Sequence, residues 1–294
     1  YTQPPGSSHA EIVALHQAGV AASGAAMYVT LEPCCHYGLT PPCTQAIIAA
    51  GITDVHLAML DPNPRVSGQG RSELESAGIK TYIGECEKGA RQLNEAYIKF
   101  ITTGLPFVTA KFAMSLDGKI ATKTGDSKWI SGAGSRRYVH CLRHVASAIM
   151  VGVNTILVDN PQLTARIGND GGTAGRQPLR VVVDSRGRTP PTAQIVQATG
   201  RTLLVVAEPP EPGKMASFIE AGVEVVELPA RGGLVDLKEL LMVLGERGIT
   251  SVLVEGGGTL LGSLFDQGLV DKVMAFIAPI IIGGREAKTA VGGI

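Results

Sequence analysis

Aromatic residues make up only 4% of this 294-residue chain, with a single Trp, and charged residues only 18%. Lys plus Arg and Asp plus Glu balance at 26 each, so the net charge is zero. A nucleic-acid surface needs a basic stripe, often with aromatic platforms, and neither is present; no nucleic-acid partner is expected. No apolar run approaches the ~20 residues that span a bilayer, and no secretory leader is visible, so no membrane partner is expected either. Five cysteines suit a reducing, cytoplasmic setting better than a disulfide framework. There is no internal repeat and no low-complexity tract. What the chain has is 45% hydrophobic residues, enough for one large or two medium cores, and two domains are the natural expectation.

Chemistry is concentrated between residues 9 and 43. His9-Ala10-Glu11 is followed by Glu32-Pro33-Cys34-Cys35-His36-Tyr37-Gly38-Leu39-Thr40-Pro41-Pro42-Cys43. One imidazole and two thiols, His9, Cys34 and Cys43, supply three zinc ligands and leave the tetrahedral ion a fourth position for water. Glu11 is the candidate catalytic residue, moving protons as general acid and base. In zinc nucleobase deaminases an H-x-E triplet precedes P-C-x-x-C, and the Glu has that role without being a ligand. Here eight residues separate Cys34 from Cys43, two of them the prolines Pro41 and Pro42, which stiffen the loop.

Other readings of the same residues stay open. Ser8-His9-Ala10-Glu11 also fits S-x-x-E, a helix capping box. A structural zinc site would be closed by a fourth protein ligand, for which His36 is the candidate. Cys35 stands beside Cys34 as an alternative ligand; Cys34 is favoured because it directly follows Pro33, as the first cysteine of the short motif does. Cys86 and Cys141 are expected to be ordinary thiols.

Along the chain, elements alternate. A helix from His9 ends near Gly19, strands are expected at 27–31, 55–59 and 79–83, and helices at 44–51 and before Gly78. This β-α-β rhythm implies a mostly parallel sheet with helices on its faces. An amphipathic segment at 87–101 runs into Thr102-Thr103-Gly104-Leu105-Pro106, the expected boundary. Beyond it, strands are expected at 107–113, 148–151, 179–183, 202–206, 223–227, 251–254 and 272–278, with a helix at 236–247. The strand at 251–254 runs into Glu255-Gly256-Gly257-Gly258-Thr259-Leu260-Leu261-Gly262. Such a turn lets backbone and helix amides approach a phosphate. It is not the G-x-G-x-x-G of a Rossmann domain and comes late in its domain, and tight strand-to-helix packing explains glycine runs as well.

These motifs together resemble the bifunctional deaminase/reductase family of riboflavin biosynthesis. In the first half the resemblance is carried by the long P-C-x-H-x-G-x-T-P-P-C segment and Asp61-Pro62-Asn63-Pro64. In the second it is carried by Lys111-Phe112-Ala113-Met114-Ser115-Leu116-Asp117-Gly118, Ser127-Lys128-Trp129-Ile130, Gly152-Val153-Asn154-Thr155, Asp159-Asn160-Pro161-Gln162-Leu163-Thr164 and Val254-Glu255-Gly256-Gly257. It departs at Cys35, where that family has Ser.

The resemblance implies an α/β chain: a cytidine-deaminase-like three-layer domain at 1–103, then a dihydrofolate-reductase-like domain at 106–294. It implies zinc in the first and NADPH/NADP in the second. Contacts to NADP are implied at Ala113, Trp129, Thr155, Asp159, Ser185, Gly257, Gly258, Thr259, Leu260, Leu261, Gly262 and Ser263. Contacts to a pyrimidine ribose phosphate are implied at Ser127, Arg143, Leu163, Arg166 and Glu255. Arg143 and Arg166 suit a 5′-phosphate, since guanidinium offers bidentate donors, although either also reads as a solvated cation. Lys111 is a candidate to position or protonate the sugar. Trp129 is as readily a core residue as a cofactor shelf. A homo-oligomer is expected. Relative to that family, a chain running from Tyr1 to Ile294 reads as a piece lacking both ends. The rival classes are a zinc deaminase of cytidine or tRNA adenosine, and a binding protein with a closed zinc site and a glycine loop used for packing.

Overall fold

The computed structural model describes residues 6–127, 130–167 and 175–293. The chain divides into two compact units, Tyr1–Thr103 and Gly104–Ile294.

In the first unit α1 (Ala10–Ala18) is closed by Gly19 at φ 54 and runs through a 3-10 turn (Gly19–Ala22) into β1 (Ala26–Val29). Then follow α2 (Cys43–Ala49), β2 (Asp54–Leu57), α3 (Gln69–Ser76) and β3 (Lys80–Ile83). The strands form a parallel sheet in the order β1-β2-β3. Alternation along the strands turns Met27, Val55 and Leu57 to one face, where they pack with Leu15 of α1, Ile47 of α2 and Leu74 of α3. The charged segment at 87–101 is two helices rather than one, α4 (Glu87–Leu93) and α5 (Glu95–Thr103). The break falls at Asn94, whose side-chain amide donates to the Ala90 carbonyl and closes α4. Ala90 and Ile98 cover Leu31, Ala58 and Met59 in a second, small cluster.

The second unit opens with β4 (Phe107–Ser115) and β5 (Lys119–Ala121), then α6 (Ala133–Val145), β6 (Ala148–Gly152) and α7 (Val153–Asp159). It continues with β7 (Leu179–Val183), α8 (Gln194–Gln197), β8 (Thr202–Val206), α9 (Pro212–Glu220), β9 (Glu224–Glu227) and a hairpin of β10 (Ala230–Arg231) and β11 (Leu234–Val235). Last come α10 (Leu237–Glu246), β12 (Ser251–Glu255), α11 (Gly258–Asp266), β13 (Lys272–Ala278) and β14 (Lys288–Thr289), which pairs antiparallel with β5. The main sheet is parallel throughout, ordered β13-β4-β12-β6-β7-β8-β9.

Its inner strands are almost continuously apolar because both faces are covered. On one face Val108, Met150, Val181, Val205 and Val254 meet Leu240 and Leu244 of α10 and Leu261 and Leu264 of α11. On the other, Ile149, Val182 and Leu204 meet Ile156 of α7, Ile195 of α8 and Phe218 of α9. Each fully buried Leu, Ile or Phe contributes about 1.5–3 kcal/mol relative to exposure. Asp236 caps α10 by accepting from the amides of Lys238 and Glu239. The late strand β12 sits between β4 and β6, so the glycine turn after it emerges at the carboxyl edge of the sheet's middle, where α/β sheets bind ligands. Among the described residues no helix is long and apolar enough to cross a membrane.

The seat of α10 is tight. A Cβ on Gly245 would stand 2.0 Å from the Gly104 carbonyl oxygen. Gly245→Ala is therefore expected to destabilise the second unit by about 1–3 kcal/mol, the usual cost of overpacking. Denaturant melts should show this, and a shift below ~0.5 kcal/mol would contradict the packing.

Candidate active sites

The first site forms where two helices begin. His9 is the N-cap residue of α1, Glu11 lies in its first turn, Cys43 is the first residue of α2, and Cys34 lies in the loop after β1. No side chain caps α1, so Ser8 and Glu11 do not form the capping box that their spacing allows. Instead His9 Nδ1 lies 3.2 Å from Cys43 Sγ and 3.5 Å from Cys34 Sγ. The three ligand atoms are within 4.8 Å of one another, and among the described residues no other such group of His, Cys, Asp or Glu occurs. Zinc with Zn–S near 2.3 Å and Zn–N near 2.0 Å sets its ligand atoms roughly 3.5–3.8 Å apart, so this donor set fits the ion with little adjustment. His36 and Cys35 are not part of the group; Cys35 Sγ instead lies 4.0 Å from Gln69 Oε1.

Protonation in the cluster is shared. The Cys43 thiol donates to Cys34, and this bond, with the Cys43 amide 3.4 Å away and His9 beside it, brings Cys34 down to about 5 despite burial. Donating to Cys34, together with burial and the nearby Glu11, pushes Cys43 up. A dication would favour thiolate at both. Burial is the main cause that raises Glu11, with Cys34 adding to it, against the lowering effects of its own amide and of His9. A carboxyl raised toward neutrality is suited to accept and return a proton.

Two supports around the cluster were not anticipated from sequence. With Nδ1 turned to the thiols, His9 Nε2–H donates to Thr40 Oγ1 at 3.2 Å, the outer partner that sets the tautomer of a ligating histidine. Glu32, buried at 3% exposure, accepts from the amides of Asp61, Gly68 and Arg71 at 2.9–3.1 Å. It thereby folds residues 61–71 around the segment that carries Cys34. Gly70 has no room for a side chain, since a Cβ would stand 2.2 Å from the Pro33 carbonyl. Asp61 accepts from the Asn63 amide and the Tyr97 hydroxyl, and burial raises its pKa. Thr40 was visible within the motif, and only its partner was not.

The second site lies along the carboxyl edge of the main sheet. Glu255 ends β12 and is paired in register with Lys111 of β4. Its carboxylate takes a bidentate pair from Arg143 of α6, 2.6 Å from Nε and 2.9 Å from Nη2, with Lys111 Nζ at 3.9 Å. Burial depresses Lys111, countered by Glu255 and assisted by Arg143. The Thr164 carbonyl receives both Arg143 Nη1 and, at 3.1 Å, His140 Nδ1. Burial first, then Arg143 and Arg166, lower His140. Leu163, the residue before Thr164, is held at φ 54, an uncommon conformation for a branched side chain. Arg166 is exposed. Thr164 Oγ1 is buried without a partner among the described residues, a donor ready for a ligand or water.

Beside this cluster a cavity of about 600 Å³ opens over the ends of β6, β7 and β12. Gly256 and Gly257 have φ 89 and 87, conformations that glycine adopts without strain, and α11 starts directly after them. Free amides at a helix start beside a roomy, partly apolar cavity fit the diphosphate and adenosine of a dinucleotide. Ser185, Gly257, Thr259, Leu260 and Ser263 line the cavity, and Thr155 Oγ1 is 3.6 Å from where a Gly257 Cβ would stand. Leu261 faces the core and Gly262 packs on Gly292. Ala113, Asp159, Gly258 and Ser127 do not line the cavity, and Trp129 lies outside the described residues. Arg186 and Arg188 do line it. They were missed, though Ser185-Arg186-Gly187-Arg188 directly after an apolar strand was a readable signal.

Both units resemble known protein families. Residues 2–59 match the cytidine and deoxycytidylate deaminase zinc-binding region, and residues 106–294 match the RibD C-terminal domain. The riboflavin biosynthesis protein RibD of Actinobacillus pleuropneumoniae is 44% identical over 294 residues, all of this chain and 77% of that protein. Acinetobacter baumannii RibD, form 1, superposes with a TM-score of 0.84 at 38% identity, covering 98% of this chain and 78% of that one. A diaminohydroxyphosphoribosylaminopyrimidine deaminase/5-amino-6-(5-phosphoribosylamino)uracil reductase of Thermotoga maritima gives 0.82 at 36%, covering 97% and 76%.

Removing the outer partner of His9 isolates its contribution. Thr40→Val is expected to weaken zinc binding about 10- to 100-fold in chelator competition, and Thr40→Ser to restore it. In the same assay Cys34→Ser should lose stoichiometric zinc and Cys35→Ser should keep it; the reverse would move the ligand to Cys35.

Proposed function

The chain belongs to the RibD family of riboflavin biosynthesis proteins, enzymes that join a zinc-dependent deaminase to an NADPH-dependent reductase, and from that membership we propose which residues carry each reaction. The first unit deaminates 2,5-diamino-6-ribosylamino-4(3H)-pyrimidinone 5′-phosphate to the uracil. The second reduces the ribosyl group to ribityl, giving 5-amino-6-ribitylamino-uracil 5′-phosphate. The observation that carries this reading is the meeting of His9, Cys34 and Cys43 with a half-buried Glu11 at the start of α1.

His9, Cys34 and Cys43 hold zinc. When bound, zinc supplies the Lewis acidity that makes water nucleophilic near neutral pH. Glu11 takes the proton from the attacking water on its carboxylate and returns it to the amino nitrogen that leaves as ammonia. Its raised pKa keeps the carboxyl basic enough to accept a proton and acidic enough to surrender it. Cys34 and Cys43 hold one thiol proton between them, lowering Cys34 and raising Cys43, so metal uptake would displace that proton.

In the second unit the glycine turn and the start of α11 would hold NADPH, which when bound would supply the hydride for C1′ of the sugar. Arg143 is fixed by Glu255 and the Thr164 carbonyl, so it meets a phosphate or sugar hydroxyl in a preset orientation with little entropy left to lose. Lys111, made more acidic by burial, gives a proton to the ring oxygen as the C1′–O bond opens. Thr164 Oγ1 and Arg166 complete the polar wall, and the cytoplasm, where free cysteines persist, is the setting.

The two chemistries use separate residues and are expected to separate by mutation. Glu11→Gln should lower deamination by at least ~10²-fold while keeping zinc, and should still reduce the deaminated intermediate supplied directly. Because Gly257 sits at φ 87, a substitution there would also strain the backbone, so Thr259→Glu, on the exposed first turn of α11, is the cleaner probe. It places a carboxylate against the dinucleotide phosphates and should cut reduction tenfold or more, a loss of about 1.4 kcal/mol, leaving unreduced product to accumulate in mass analysis. Normal deamination by Glu11→Gln would reject its proton-carrying role.

A further inference from the structure

The segment at 279–293, which follows β13, runs from an edge strand of the main sheet back to the glycine turn that opens α11. Near its start the Leu116 amide donates to the Ile280 carbonyl at 2.8 Å. Further along, β14 pairs with β5, and the Gly292 amide donates to the Gly258 carbonyl at 2.9 Å. Gly262 makes this approach possible, since a Cβ there would stand 2.0 Å from the Gly292 carbonyl oxygen. The segment is a strap that joins the end of β4 to the first turn of α11.

Asp117 fastens the strap at the β4 end. Its Oδ1 accepts from the Ser115 hydroxyl at 2.6 Å and from the Ile282 amide at 3.1 Å, while Oδ2 accepts from the Gly283 amide at 2.8 Å. The Ser115 hydroxyl first, and then the two amides, hold the Asp117 carboxyl down at about 2, so the clasp is charged at neutral pH. Burial adds little there, since Leu116 and Ile281 are 67% and 74% exposed. Ser115, by contrast, is fully buried and ends the same strand that carries Lys111. Lys111 and Glu255 are register partners on β4 and β12, and α11 begins shortly after β12. The strap therefore reaches both halves of the reductase site.

We propose that Asp117 is a positioning residue of the reductase: by tying the turn after β4 to the strap, it fixes the spacing between the sugar at Lys111 and Glu255 and the dinucleotide at the start of α11. The inference rests on the placement of NADPH given above. Hydride transfer needs its reacting atoms about 3–3.5 Å apart, and a misplacement of about 1 Å can cost ~10²-fold in rate. A carboxylate suits this task, because its two oxygens accept all three donors through charge-assisted bonds about twice as strong as neutral ones. A carboxamide does not. One of its ends carries hydrogens, so in either orientation at least one strap amide would lose its acceptor.

The test compares Asp117→Asn with Asp117→Glu in the whole chain, with melting curves and deamination as controls for folding. Asn is as favourable as Asp in a turn, so a purely local role would be kept by Asn and lost with the longer Glu. The strap predicts the opposite order. In single turnover, followed by NADPH absorbance, Asp117→Asn should slow hydride transfer by at least ~tenfold, whereas Asp117→Glu should stay within about threefold of the unaltered chain. NADP affinity and stoichiometry by calorimetry, and KM for NADPH, should change by less than about threefold in both. Amide exchange should quicken in the peptide holding Ile282 and Gly283 in Asp117→Asn alone. Normal hydride transfer in Asp117→Asn, equal losses in the two variants, or a loss matched by a fall in NADP stoichiometry would each overturn the positioning role while leaving the placement of NADPH intact. Unchanged NADP binding in Thr259→Glu would overturn that placement itself.

Discussion

A carboxylate at the end of a buried strand needs a cation, and in the second unit Glu255 meets this requirement twice, with Arg143 in bidentate contact and Lys111 at 3.9 Å. Losing one partner from such a buried pair commonly costs 3–5 kcal/mol, because the other charge remains uncompensated. The geometry is therefore held from three directions. β12 brings Glu255 into register with Lys111, α6 brings Arg143, and the loop at Thr164 offers the carbonyl that fixes the guanidinium. The glycine turn begins one residue after Glu255, so the proposed dinucleotide and sugar sites are neighbours along the chain.

The first unit solves a related problem with backbone rather than with opposite charge. Glu32 is satisfied by three amides from residues 61–71, and a buried acceptor left without such partners would be costly. The loop is thus attached to the residue two positions before Cys34. Helix starts supply the remaining order, placing His9 and Cys43 without long side-chain linkages.

Much of this was legible in the sequence. The strands at 179–183 and 202–206 lie where their apolar runs place them, because parallel strands covered on both faces are mostly apolar; the edge strand at 272–278 shows as an apolar run although much of it is exposed. The zinc cluster was legible because its chemistry tolerates few residue types. The break at Asn94 was not, since helical periodicity continues through it and the cause is one side-chain hydrogen bond. The short strands β5, β10, β11 and β14 were also missed: two or three residues carry no period, and tertiary pairing makes them. Thr40, Glu32 and Thr164 escaped because their roles depend on partners 20 to 40 positions away, and local patterns do not encode such distances.

Arg180 of β7 is 2% exposed, and among the described residues no carboxylate lies within ion-pair distance of it. Its guanidinium donates instead to the carbonyls of Ala198 and Gly200 at 3.0 and 2.7 Å, with Gln162 and Arg201 at 3.5 Å. The protein has in effect built a cage of oxygens around a planar cation, much as a chelator surrounds a metal. In evolutionary terms such a position resists gradual change. Lys cannot address four carbonyls at once, an apolar residue would strand them, and a new acid would have no space. Variation near it is expected to arrive in the loops that supply the carbonyls, Gly200 excepted because its φ of 118 suits glycine, and descendants of this fold should drift around the guanidinium rather than through it.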